Sequence, residues 1–532
     1  MKKALTFLIS VLPLLASCIQ NDLPLPVVEG EFVRLEVEGA EDVRIDGANH
    51  TVSILLEETV NPSEVKILSA TYGSPVTVSE PEIVGVQDLS APLEVNLRTY
   101  QDYSWTITAR REIERWFAVE GQIGAATIDE VNHRGVALVS SSADLSEISV
   151  SRLKLGPEGK TAYLPEIADI HDFTEGAEIR VSYEGHAEVW MLYLEPTDLA
   201  VQLDLLTPWT RCAWLSASGV SDRVNGFRWR REGDEQWSET FDVISDGGYF
   251  TACADSLEPD TRYECVAVSG EDVSEPGLFV TEGEMQLPNS GFEVFSNAES
   301  GVYSSWFDPA SPDPALRTKW WDTGNVGSTT VGSAYCIAMP DVSDFWEGSS
   351  CALLVSRNVI IKFAAGNTFS GEFAGLVGTQ GGIINFGRPW SLRPRALRFR
   401  MKYTSGPIDV IDGCPEGVSI AAGDPDICSA WVALGDWDYR RYGGTADCPV
   451  QINTTDRNTF FNPEGESVIA YGIYETSAST DGWVEVVLPL EYRDVNRRPT
   501  HIIVSFASSK YGDYFTGSSQ SRMSIDSLEL IY

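Results

Sequence analysis

The chain has 532 residues, 43% of them hydrophobic and 10% aromatic. That is too long for one core and rich enough in apolar side chains to fill about three to five, which excludes a disordered chain. Against 38 Lys and Arg stand 78 Asp and Glu, a formal charge of −40; such a field repels nucleic-acid phosphate and anionic headgroups, excludes nucleic acid as a partner, and leaves uncharged ligands unaffected.

In chain order, Lys2 and Lys3 precede a mostly apolar run, Ala4 to Leu15, too short to span a bilayer. Leu15-Ala16-Ser17 then places small residues before Cys18. The pattern predicts a secretory signal peptide over 1–17 ending in a lipobox, with Cys18 lipidated and 18–27, rich in Leu-Pro, as a stiff tether. An ordinary signal peptide with an incidental Cys is the alternative. No second long apolar run follows, so the chain is expected to touch a membrane through its lipid alone.

Glycine (45) and proline (27) recur between short alternating segments, and no long stretch carries a helical period. In Ala396–Tyr403, Leu397, Phe399, Met401 and Tyr403 share one face and Arg398, Arg400 and Lys402 the other, the pattern of a half-buried strand. The fold class predicted is all-β: tandem β-sandwich modules followed by a C-terminal jelly roll. Pro62-Ser63-Glu64-Val65 parallels Leu145-Ser146-Glu147-Ile148, Asp88-Leu89-Ser90 parallels Asp172-Phe173-Thr174, and Trp105 parallels Trp190. The repeat predicts two sandwiches, 28–112 and 113–199; one larger sandwich is the alternative. Together they resemble the immunoglobulin-like stalk modules of many Bacteroidota surface lipoproteins.

Residues 200–285 resemble a fibronectin type III module through Leu257-Glu258-Pro259-Asp260-Thr261-Arg262-Tyr263, the turn that leads into an inward Tyr. Cys265 lies two residues beyond Tyr263, and Cys212 is expected to share the inward face of Trp214. The module is therefore expected to carry a Cys212–Cys265 bridge between its sheets, leaving Cys253 free; three buried thiols packed as small apolar groups is the alternative.

The C-terminal domain, 286–532, holds Trp320-Trp321-Asp322-Thr323-Gly324-Asn325, Ala364-Ala365-Gly366-Asn367-Thr368-Phe369-Ser370-Gly371-Glu372-Phe373 and Phe386-Gly387-Arg388-Pro389-Trp390-Ser391-Leu392-Arg393-Pro394-Arg395-Ala396-Leu397. In these segments it resembles the Bacteroidota family described as "putative carbohydrate metabolism domain", similar in architecture to galactose-binding-like jelly rolls. The resemblance implies a role in handling glycans, on a lipoprotein of the outer membrane exposed at the cell surface. It also implies that Glu293, in the opening segment Asn289-Ser290-Gly291-Phe292-Glu293, and Asp526, in the last strand, meet at a structural Ca²⁺; that both acids simply face solvent is the alternative. No other cofactor is required.

Sugar recognition needs aromatic faces and planar polar groups. The residues expected to supply them are Trp320, Trp321, Asp322, Asn325, Asn367, Arg388, Trp390, Arg393 and Trp437; core or loop-bracing roles are the competing reading. Glycoside hydrolysis needs two carboxyl groups, and Asp322 with Glu372 is the first candidate pair. The reading is a surface lipoprotein that binds a glycan through its C-terminal jelly roll, with a glycoside hydrolase or a structural adhesin without a sugar site as alternatives.

Overall fold

A computed structural model describes residues 28–360, 362–415 and 417–532, with Val331 described by its backbone alone. The expected signal peptide at 1–17, the expected lipidation of Cys18 and the expected tether at 18–27 lie outside the described residues. Among these residues no helix is long and apolar enough to cross a membrane. The structure is nearly all β, and it divides into two compact units between Thr197 and Asp198.

The first unit repeats one topology. One sheet orders strands 40–46, 51–56, 102–111, 93–98 and 78–80; a second orders 122–129, 134–140, 186–197, 177–183 and 162–164. In each, the second strand runs parallel to a late strand bearing a fully buried tryptophan, Trp105 or Trp190. His50 and His133 occupy matching left-handed turns (φ 52° and 50°). Their rings lie 5.0 and 5.2 Å from Trp105 and Trp190.

The second unit opens with a fibronectin-like sandwich. One sheet orders 201–208, 213–219, 249–254 and 244–246; in the other, 225–231 lies between 238–240 and 262–269, whose far edge carries 272–273 and 277–280. The Tyr263 hydroxyl accepts the Glu258 N–H at 2.9 Å, closing the corner of the sandwich.

The expected Cys212–Cys265 bridge is absent: all three cysteines of this module are free thiols. The reason is strand parity. Ala213, Leu215 and Ala217 point into the core, so Cys212 and Trp214 point out of it. Trp214 packs on Trp209 at 6.0 Å, and Cys212 meets Cys253, which precedes Ala254, the register partner of Ala213. Cys265 stays in the core of the opposite sheet, where burial pushes its thiol up to about 12.

The C-terminal domain is two antiparallel sheets packed face to face. The smaller orders 338–341, 351–355, 522–531, 396–404 and 484–489. The larger runs through 450–453, 381–386, 367–377, 501–507, 428–435, 468–476 and 491–492. Leu397, Phe399, Met401 and Tyr403 do share a buried face, and it meets Ala430, Val432, Leu434, Ile502, Val504 and Phe506 of the larger sheet. That larger sheet also carries apolar residues on its other face: Phe369, Ile384, Phe386, Ala433, Ile452 and Ile503 form a second cluster there. A two-sided apolar sheet needs cover on both sides, and the cover on this face is incomplete.

Candidate functional site

The incomplete cover leaves a cavity of about 520 Å³, within the usual range for small-molecule sites. Strand register builds its floor in rungs. Asn367, Ala507, Ser429 and Glu475 are successive partners across four strands; Phe369, Ser505, Trp431 and Ile473 form the next rung, and Ile503, Ala433 and Tyr471 the one after. Small side chains at Ala507, Ser429 and Ser505 make the hollow. Around it Trp431 stacks on Phe461 (4.7 Å between centroids, 17° between planes), and Phe386 meets Trp431 edge-on at 5.7 Å.

Polar side chains also line the cavity. Lys510 Nζ lies 2.7 Å from Glu475 Oε2. Lys362 contacts the Phe515 ring at 4.4 Å and pairs with Asp412 at 2.5 Å. Asp513, on the short turn 512–514, also lines the cavity. Its side chain is exposed to solvent.

The turn is held by a buried carboxylate, Asp426. It accepts hydrogen bonds from Ser509 Oγ at 2.5 Å, Ser518 N at 2.9 Å and Ser521 Oγ at 2.7 Å, and so ties together both ends of the segment bearing Asp513. Burial raises the Asp426 carboxyl, opposed by these same bonds.

Of the residues expected to bind glycan, Asn367 alone lines the cavity. Its side chain is also structural: Oδ1 accepts the Gly324 N–H at 2.8 Å. Trp321 is fully buried between the sheets and donates to the Pro288 carbonyl at 2.9 Å. Trp390 is buried and Trp320 half-buried against the same core, their rings 6.3 Å apart and their indole N–H groups unpaired. Trp437 is buried, its ring 6.2 Å from Phe461, and does not line the cavity. Asn325 is buried, accepting from Ile337 N and Ala338 N. Arg388 braces a loop, donating to the carbonyls of Trp320 and Gly371. Arg393 is spent on the fibronectin-like module: it donates to the Pro208 carbonyl at 2.6 Å and to Glu282 at 2.9 Å. These residues therefore correct the expectation of a tryptophan–arginine sugar surface, because each is consumed in packing or in bracing backbone.

The candidate catalytic pair is corrected likewise. Asp322 is buried, paired with Lys319 at 2.9 Å and capped by the N–H groups of Thr323 and Phe373. Burial raises its carboxyl against the pull of Lys319. Glu372 accepts from Asn385 at 3.2 Å. Neither lines the cavity.

Glu293 and Asp526 do come together. A Cβ at Gly291 would lie 3.5 Å from Glu293 Oε1 and 3.7 Å from Asp526 Oδ1. Their other oxygens accept backbone N–H groups of one loop: Asp526 Oδ2 from Trp346 and Glu347, Glu293 Oε2 from Ser349. Burial raises the Asp526 carboxyl, and the nearby Glu293 charge adds to it. Among the described residues neither acid has a basic partner. Two facing carboxylates without a counter-charge suit a hard cation, although no group of three acidic, His or Cys ligands exists among the described residues.

The cavity residues that sequence reasoning did not single out are Trp431, Phe461, Tyr471, Glu475 and Asp513. The available signal was double-sidedness: in Cys428–Gly435 both alternating sets are apolar or small, so the strand is covered on two faces.

A family model described as "Putative carbohydrate metabolism domain" matches residues 291–531. Among solved structures, the chain is similar to a putative glycoside hydrolase from Bacteroides thetaiotaomicron, at 14% identity and a TM-score of 0.31, covering 96% of this chain and 98% of that one. A putative glycoside hydrolase from Bacteroides vulgatus is similar at 20% identity and a TM-score of 0.33, covering 45% of this chain and 96% of that one. Chicken CNTN1 FN1-FN3 domains are similar at 11% identity and a TM-score of 0.13, covering 48% and 100%. No curated protein matches. Within a nearly all-β chain, residues 291–531 thus match a family model described in terms of carbohydrate metabolism.

Proposed function

We propose that the protein is a lipid-anchored outer-membrane lipoprotein, exposed at the cell surface, that binds a glycan in the cavity on the open face of its C-terminal larger sheet. One observation carries the reading: a cavity of about 520 Å³ whose lining combines Trp431, Phe461 and Tyr471 with Asn367, Lys510, Glu475 and Asp513. Aromatic faces suit the C–H surfaces of a sugar ring, and the polar side chains suit its hydroxyls. The family match at 291–531 supports the substrate class. A purely structural adhesin offers no reason for such a hollow. The facing carboxylates Glu293 and Asp526 hold a structural Ca²⁺ at the domain's opening segment, away from the sugar.

Retardation in native gels containing starch, xylan, mannan, arabinan, pectin or mixed-linkage glucan tests the reading. Retardation by one polymer, lost in Trp431→Ala, is the expected result. Retardation by none would remove it.

A further inference from the structure

The buried part of the cavity lining is apolar. Ten aromatic side chains line the cavity, and of these Phe363, Phe369 and Phe386 are buried, as are the neighbouring Ile384 and Ile452. Glu475, Lys510 and Asp513, by contrast, are exposed to solvent. Much of the polar lining is already engaged with the protein. Lys510 pairs with Glu475 and Lys362 with Asp412. Asn367 accepts the Gly324 N–H and donates to the Ala365 carbonyl; Thr454 accepts the Gly382 N–H and donates to the Gly382 carbonyl. A bare sugar ring seated wholly inside would bring several hydroxyls against aromatic walls. Each one buried without a partner loses its hydration for nothing.

Two hydroxyls of the cavity floor are not engaged. Ser429 and Ser505 are 7% and 8% exposed, and among the described residues neither side chain has a hydrogen-bond partner. Ser429 is the register partner of Ala507, two residues along the strand from Ser505, so the two serines are diagonal neighbours on one face of the sheet. That places both hydroxyls within reach of one ligand group. Trp431 is the register partner of Ser505. It stacks on Phe461 with 17° between planes and meets Phe386 edge-on at 5.7 Å, an arrangement that a further flat ring extends. The floor therefore offers a place for one acceptor beside a place for one planar apolar ring.

Resting on glycan binding at this site, we infer that the part of the glycan that enters the cavity is an aromatic acyl group esterified to one of its sugars. The ring of the acyl group packs against Trp431, and its ester carbonyl accepts hydrogen bonds from the Ser429 and Ser505 hydroxyls. The sugar that carries it stays with the solvent-exposed Glu475, Lys510 and Asp513, where its hydroxyls keep water or polar partners. The substituent, more than the sugar backbone, sets which polymer is recognised.

The test runs the full chain in native gels containing water-extracted xylan that keeps its hydroxycinnamoyl esters, and in the same xylan after mild alkali has removed them. Isothermal titration with methyl 4-hydroxycinnamate is read in parallel. Retardation by the esterified xylan, lost after alkali, is expected. The small ester is expected to bind the wild type, about tenfold more weakly in Ser429→Ala and in Ser505→Ala, and not at all in Ser505→Trp. Retardation that survives alkali, or retardation by starch or mixed-linkage glucan instead, would overturn the acyl group and leave glycan binding standing. Failure of the small ester to bind, or binding unchanged in all three variants, would overturn the assignment to this cavity. Binding of the small ester with no retardation by any polymer would end the glycan reading and this inference with it.

Discussion

Arg393 donates through Nη2 to Glu282 Oε1 at 2.9 Å, and the two side chains are 6% and 7% exposed. The pair joins the C-terminal domain to the fibronectin-like module, and it does not stand alone. Trp209 packs on Tyr492 at 4.4 Å and donates to the Val495 carbonyl; Thr207 bonds Asn496 at 2.7 Å. Residues 198–532 are thus one compact unit whose internal seam is made by a segment that reads, in sequence, like a ligand loop.

Arg393→Ala leaves Glu282 buried with only the more distant Arg498, 3.6 Å from its Oε1, as a cation. We expect a loss of up to about 3–5 kcal/mol in the stability of this unit. Urea unfolding followed by tryptophan fluorescence measures it. Glycan retardation at low urea should be unchanged, because Arg393 does not line the cavity.

Trp321 and Trp431 should part company in the same way. Trp321→Ala removes a fully buried side chain and should cost about 3–5 kcal/mol. Trp431→Ala, at the cavity, should abolish retardation at a much smaller cost. Unfolding midpoints and affinity gels on the two variants distinguish the roles.

The Glu293–Asp526 pair predicts a response to Ca²⁺ and to pH. Asp526 is raised in the folded state, so the folded protein holds this proton more firmly than the unfolded chain. Without a cation, its contribution to stability is greatest below the unfolded value, near 3.9, and is lost as pH rises through the raised folded value. At pH 7, Ca²⁺ at tenfold its dissociation constant should restore about 1.4 kcal/mol. Thermal midpoints with and without millimolar Ca²⁺, for wild type and Asp526→Asn, check this; equal wild-type midpoints would discard the cation.

The cysteines of the fibronectin-like module give a further check. Cys212 is pushed down to about 7 by a hydrogen bond with Cys253, aided by Arg395, while burial pushes Cys265 up to about 12. Alkylation in denaturant without reductant, read by peptide mass spectrometry, should label Cys212, Cys253 and Cys265. On limited unfolding near neutral pH, Cys212 should react before Cys265.

The all-β class and the face of strand 396–404 were legible because alternation there is one-sided: charged residues mark the outside. The repeat in residues 28–199 was legible because turn residues and a core tryptophan recur in step. Parity failed at Cys212–Ala213–Trp214, where alanines fill the core and the large indole lies outside it. The C-terminal cavity is not legible in the sequence, because the conspicuous residues there serve packing and bracing. Trp321, Trp390 and Arg393 are conspicuous because the core and the seam need them, whereas the cavity is made by small residues, Ser429, Ser505 and Ala507, whose significance lies in the space they leave. That space is a property of pairing across four strands, which no single segment displays.

Filling that space tests the central claim most directly. Ser505→Trp places an indole in the middle of the cavity floor, beside Trp431. On the polymer that retards the wild type, the variant should migrate as it does in a gel without polymer, while its unfolding midpoint stays near the wild-type value. Undiminished retardation of a folded Ser505→Trp variant would place the glycan elsewhere and contradict the account.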